Sequence, residues 1–186
     1  MSMKDRPGNP RRTDATARMI RVDQAGEHGA VQIYRGQMDV LGRRASGAHI
    51  AHMAAQEEEH LERFEALMNE RRVRPSLLSP LWHVAGYTLG AATALMSDKA
   101  AMACTVAVEE VIEEHYNEQA EALGDSDPEL TSLIEECCAD EVEHRDFALE
   151  QGAKETPGYG LLSTAIKTGA KTAIWLAKRF LSIHRM

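Results

Sequence analysis

Asp140-Glu141-Val142-Glu143-His144, read beside Glu57-Glu58-Glu59-His60, decides how the rest of this chain is understood. Each stretch sets a Glu three residues before a His. Residues three apart on a helix share a face, so each pair offers one carboxylate and one imidazole to the same point. Working outward, Glu27 lies 30 residues before Glu57, and Glu109 lies 32 residues before Glu141. The chain therefore reads twice as a lone Glu followed by Glu-x-x-His.

That set resembles the metal ligands of ferritin-like di-iron and di-manganese carboxylate bundles. The fold expected is all-α: a ferritin-like four-helix bundle with two additional apolar or amphipathic helices. Apolar residues at three- and four-residue steps predict bundle helices over about Thr16–Leu41, Ser46–Arg72, Asp98–Leu123 and Pro128–Gly152. Ser46 and Asp98 are the expected N-caps. Glu27, Glu57, His60, Glu109, Glu141 and His144 all fall on the apolar faces. Gly26 and Gly29 flank Glu27 and suggest close approach by another group. Four carboxylates in a bundle core each cost several kcal/mol, roughly, if left unpaired. Two divalent cations balance them. Oxygen and imidazole donors without thiolate favour iron or manganese over structural zinc. Glu57 and Glu141 are the expected bridges, and Glu27 and Glu109 the terminal ligands. Asp23 and Asp140 are expected to orient the imidazoles, with Glu113, His115 and Tyr116 close by.

The 186 residues predict a flexible N-terminal arm over 1–17 and one domain over 18–186. A net charge of −8 argues against nucleic-acid binding. The charge is uneven: from Thr156 onward there is no acidic residue, while Lys167, Lys171, Lys178, Arg179 and Arg185 are basic. Pro75 to Ser97 carries no formal charge, yet its prolines, glycines and polar residues make a poor spanning helix. A helix over about 77–96, most regular from Pro80 to Met96, is expected to face a membrane or cap the bundle; a buried hydrophobic helix is the competing reading. A C-terminal amphipathic helix is expected over about 161–183, with Trp175 and Phe180 as interface anchors. Cys104, Cys137 and Cys138 lack C-x-x-C spacing and read as core thiols in a reducing compartment.

VDQAGEHGAVQIYRGQM (Val22–Met38), QEEEHL (Gln56–Leu61), RVRPSLLSPLW (Arg72–Trp82), AMACTVAVEEVIEEHYNEQ (Ala101–Gln119) and DEVEHRD (Asp140–Asp146) together resemble the demethoxyubiquinone hydroxylases of ubiquinone biosynthesis. The resemblance implies a di-iron monooxygenase with ligands at the six residues already named, and His115 and Tyr116 as candidate catalytic residues beside them. It implies a polyprenylated methoxy-benzoquinol as substrate, dioxygen as oxidant, and NADH as external reductant. It also implies a peripheral position on a lipid surface: the cytoplasmic face of a bacterial inner membrane, or the mitochondrial inner membrane in a eukaryote. Leu77, Leu78, Leu81, Trp82 and Tyr87 are the expected contacts for tail or lipid. A homo-oligomer or an accessory lipid-binding protein is a further partner to be considered. Two other readings compete: a ferritin-like iron-storage or peroxide-scavenging protein, and a metal-free helical scaffold presenting lipid.

Overall fold

The computed structural model describes residues 10–180, with side chains described from Asp14 to Arg179. Among these residues the chain forms α1 (Pro10–Leu41), α2 (Gly47–Glu70), α3 (Ser79–Met96), α4 (Asp98–Leu123), α5 (Pro128–Glu150) and α6 (Tyr159–Phe180). The expected four-helix bundle is α1, α2, α4 and α5, and the two additional helices are α3 and α6. Helix α1 starts at Pro10, so the second half of the expected arm, 10–17, is helical rather than flexible. Residues 1–9, the end of the last helix at Ile183 and the Phe180 side chain lie outside the described part.

Two expected caps differ. Ser97, not Asp98, caps α4, its hydroxyl accepting from the Ala100 amide at 3.0 Å. Ser46 makes no cap bond. It donates instead to Asp98 at 2.8 Å, beside Arg44 at 2.6 Å, and so ties the α1–α2 corner to the start of α4. At the opposite end Arg71 closes α2 and forks onto Asp127 and Glu129. Asp127 is itself the N-cap of α5, accepting from the Leu130 amide, with Pro128 in the first turn.

Two apolar plugs fill the bundle. One joins Tyr34, Ile50, Met53, Met102, Val106 and Ala148. The other joins Ile20, Phe64, Tyr116, Leu130, Ile134 and Cys137. Along every bundle helix the candidate ligands lie between the residues of the two plugs, which closes the centre off from water at both ends.

Helix α3 lies along α1 backbone to backbone. A β-carbon at Gly90 would overlap the Ile33 carbonyl, one at Gly86 would press on the Gly29 carbonyl, and one at Gly36 would meet the Tyr87 carbonyl. Only Gly86, Gly90, Thr93 and Ala94 of α3 are buried. Several of its large apolar side chains point outward: Leu81 is 52 % exposed, Val84 62 % and Leu95 74 %. The competing reading of a buried hydrophobic helix is therefore set aside. No helix among the described residues is long and apolar enough to cross a membrane. Helix α6 packs on α4 through Ile166 and Ala177, and the ion pairs Lys167–Glu110 and Lys171–Glu114 fasten it.

Gly26 and Gly29 do not play the part expected of them, because a β-carbon at either meets nothing within 4 Å. The close approach is made by the glycines opposite. Gly90→Ala is expected to cost about 1–3 kcal/mol through forced separation of α1 and α3. Gly26→Ala is expected to stabilise by about 0.5–1 kcal/mol through helix propensity alone. Thermal unfolding of the two variants checks the opposite signs.

Candidate metal centre

Glu27 reaches the bundle centre from α1, Glu57 and His60 from α2, Glu109 from α4, and Glu141 and His144 from α5. All six side chains are buried. They form two groups, Glu27–Glu57–His60–Glu141 and Glu57–Glu109–Glu141–His144, in each of which the potential ligand atoms lie within 4.8 Å of one another. Glu57 and Glu141 belong to both. Glu141 faces both imidazoles: its Oε1 is 3.3 Å from His60 Nδ1 and its Oε2 3.3 Å from His144 Nδ1. His60 Nδ1 also lies 3.6 Å from Glu27, and His144 Nδ1 3.2 Å from Glu57.

The outer edge of each ring fixes its tautomer. His60 Nε2 lies 3.0 Å from Asp140 Oδ2, and His144 Nε2 lies 3.1 Å from Gln56 Oε1. Both partners accept, so each Nε2 carries the proton and each Nδ1 turns a lone pair toward the carboxylates. Lone pairs facing carboxylates need a cation between them. The hydrogen-bond geometry agrees: both Nδ1 atoms, both oxygens of Glu57 and of Glu141, and one oxygen each of Glu27 and Glu109 have no hydrogen-bond partner. Such a set of orphaned buried donors fits a pair of divalent ions.

Without cations, protons take their place. Burial, reinforced by the Glu141 charge, pushes the Glu57 and Glu109 carboxyls well above the usual range. Burial also raises Glu27, against the pull of His60. For Glu141 burial acts upward too, but the two imidazoles win and hold it down to about 2. Burial would depress His144, but Glu141 and Glu57 outweigh it and push the ring up to about 10.

The surrounding groups repeat with the ligands. Tyr34, seven residues after Glu27, donates to Glu109 at 2.8 Å. Tyr116, seven residues after Glu109, donates to Glu27. Gln56 and Asp140 each precede the Glu of one Glu-x-x-His and each hold the His of the other. The expectation for Asp140 holds, and Tyr116 does touch the cluster. Tyr34, Gln56 and Gln119 escaped the sequence reading, although the recurring seven-residue step from Glu to Tyr was there to be seen. Asp23 orients neither candidate ligand; it lies 3.3 Å from His115 and accepts from Gln119 at 2.7 Å. His115 faces these two rather than the six. Glu113 is drawn to the outside by Arg145.

Over the seam where Glu27 and Glu109 enter runs an apolar groove of about 510 Å³ between α1, α3, α4 and α6. Gly26, Ile33, Trp82, Val108, Ile112 and Ile174 are among its walls. Of the five expected tail contacts only Trp82 lines it. Leu81 on α3 and Leu77 just before it are exposed, and the Tyr87 hydroxyl donates to Asp39 at 2.7 Å.

Comparison with known proteins gives the same picture. Residues 14–177 match the family described as COQ7, ubiquinone biosynthesis protein COQ7. The chain is 53 % identical over 174 residues to a 3-demethoxyubiquinol 3-hydroxylase of Rhodospirillum rubrum, covering 93 % of this chain and 82 % of that protein. It is 50 % identical over 170 residues to the mouse NADPH-dependent 3-demethoxyubiquinone 3-hydroxylase, mitochondrial, covering 89 % and 78 %. It is 44 % identical over 179 residues to the 5-demethoxyubiquinone hydroxylase, mitochondrial, of Saccharomyces cerevisiae, covering 87 % and 77 %. With a family match over most of its length and relatives at half identity, this chain belongs to the COQ7 family of ubiquinone biosynthesis proteins.

Proposed function

We propose that the chain is a 3-demethoxyubiquinol 3-hydroxylase that holds two iron ions in the bundle core and works on a quinol drawn from a lipid surface. The observation that carries this is the pair of buried donor groups sharing Glu57 and Glu141. Glu27 and His60 would help hold one ion and Glu109 and His144 the other, with Glu57 and Glu141 common to both sets. Bound there, the ions would supply the activation of dioxygen. One oxygen atom enters the ring of the methoxy-benzoquinol and the other leaves as water, which takes up two protons and two electrons. A nicotinamide reductant supplies the electrons; the mammalian relatives' names specify NADPH, where the resemblance suggested NADH.

The chain's own residues bind, orient and keep water out. The apolar groove accepts the polyprenyl-bearing ring along the seam at which Glu27 and Glu109 enter. Apolar plugs on either side of the six residues hold bulk water away. Asp140 and Gln56 fix the two imidazoles, and Tyr34 and Tyr116 steady the outer carboxylates. Outward-facing Leu81 and Val84 on α3, Leu77 just before it, and Trp175 on α6 meet the lipid, with Arg179 stacked over the Trp175 ring. That arrangement supports a peripheral membrane protein.

Glu141→Ala is expected to abolish complementation of a strain that accumulates the methoxy-quinone precursor, and to lower bound iron from about two per chain; rescue by this variant would refute the assignment. Leu81→Glu with Trp82→Glu is expected to reduce co-sedimentation with anionic vesicles without loss of iron, and unchanged sedimentation would remove the lipid role of α3.

The pH dependence of the metal-free chain follows from the raised groups. The carboxyls of Glu57 and Glu109 keep protons in the folded state at pH values where the unfolded chain has released them. Raising the pH strips those protons, so folded stability falls above the carboxylate range. His144 works in the same sense up to about 10, and Glu141, held at about 2, matters only in acid. The melting temperature of the metal-free chain is expected to fall from about pH 6 to about pH 9, while the increment on adding manganese(II) grows. A metal-free melting temperature that climbs over this window would contradict the charge balance.

A further inference from the structure

The two halves of the centre repeat one another beyond the ligands. Helix α1 carries Glu27, Tyr34 and Gln37; α4 carries Glu109, Tyr116 and Gln119, with the same intervals. Each Tyr bonds the other half's Glu. Each Gln reaches across to the residue four before that Glu. Gln37 Nε2 lies 3.5 Å from Thr105 Oγ1 and donates to the Ala101 carbonyl at 3.3 Å; Gln119 Nε2 donates to Asp23 Oδ1 at 2.7 Å.

At two positions the repeat is broken. Thr105 corresponds to Asp23, and Ile33, one before Tyr34, corresponds to His115, one before Tyr116. A neutral hydroxyl and an aliphatic chain on one side face an acid and an imidazole on the other. These two replacements touch each other, His115 Nε2 standing 3.3 Å from Asp23 Oδ1 and 2.8 Å from Gln119 Nε2. Structure alone does not call for them, since the Glu109 half closes with neutral groups. Burying an acid beside an imidazole carries a desolvation cost that a neutral apolar pair would not. The other groups around the pair are Tyr116, whose ring lies 6.2 Å from His115, and Lys178 of α6, whose charge acts on Asp23. Asp23 Oδ2 and Gln119 Oε1 are buried acceptors with no donor, so a water or a proton can join the chain there. His115 is largely buried, with 7 % of its surface in contact with solvent.

We propose that Asp23 and Gln119 are positioning residues that hold the His115 imidazole beside Tyr116, making the Glu27 half, and not the Glu109 half, the side on which a proton is delivered to the centre. His115 gives up one of the two protons that the departing water needs and recovers it from solvent; the electrons come from the nicotinamide reductant. The Gln119 amide donates both to His115 Nε2 and to Asp23 Oδ1, so the neutral ring keeps its proton on Nδ1 and Asp23 acts on it through Gln119. This rests on the hydroxylase reading above, which fails separately if the wild-type chain binds no iron.

The test compares Asp23→Asn, which keeps the shape, with Thr105→Val at the matching position of the other half. Asp23→Asn is expected to lower kcat about 10- to 100-fold, the usual effect of losing an orienting partner, and to change its pH profile while leaving KM and iron content unaltered. Thr105→Val is expected to leave kcat within about twofold and the profile unchanged, since it touches no ionisable partner. Asp23→Asn combined with His115→Ile is expected to be no slower than His115→Ile alone. Nitrogen-15 NMR of the zinc-loaded protein, which is diamagnetic, is expected to show one His115 tautomer in the wild type and a mixture in Asp23→Asn. A wild-type pH profile in Asp23→Asn, an equal loss in Thr105→Val, or an unchanged tautomer would each overturn the proposal.

Discussion

Four carboxylates and two imidazole lone pairs meet in the middle of a helical bundle, and everything around them makes that meeting tolerable. In water the carboxylates would be hydrated; here they are stripped of solvent and aimed at one another. Desolvation pushes Glu27, Glu57 and Glu109 toward the protonated form, and Glu141 stays charged only because it lies between two imidazoles. The same set of donors can therefore be neutralised by protons or by divalent ions. Ions bring two charges each and leave the donors ionised, so they suit the geometry better.

The bundle closes this arrangement at its ends, where apolar plugs exclude water. Beside α1 and α4 the added helices α3 and α6 line an apolar groove, largely with small residues. Glycines on α3 bring its backbone against α1, and Leu81, Val84 and Leu95 point outward. A groove wide enough for an apolar ligand and a surface rich in exposed leucine thus have one cause, the exchange of side-chain packing for backbone packing along the α1–α3 seam.

The near two-fold repetition of the centre separates the groups that recur in both halves from those that do not. Groups that recur in both halves, the tyrosines and the two glutamines of α1 and α4, brace the carboxylates and the seam. Departures from the repeat, Asp23 and His115, stand out because the other half manages with Thr105 and Ile33. Cys104 and Cys137 are fully buried free thiols, as expected, whereas Cys138, expected in the core with them, is only partly buried.

The six candidate ligands and the four bundle helices were legible in the chain because both depend on periodicity. A Glu three before a His, on an apolar face, stays on that face in any helix. The grouping of Glu57 and Glu141 as shared residues followed from the same count. What no single helix could reveal was the contact across helices. Asp140 holds His60, but Gln56 rather than a second carboxylate holds His144, and Asp23 turns to His115, because these choices depend on how α2, α4 and α5 are set against α1. The caps at Ser46 and Asp98 were misread for the same reason: a neighbouring chain end offered Ser46 and Asp98 stronger partners in each other and in Arg44. Gly26 and Gly29 looked like the points of close approach, yet only the crossing of α3 decided that Gly36, Gly86 and Gly90 make it. Local sequence sets which face of a helix is buried; the partner that face meets is fixed only when the helices pack.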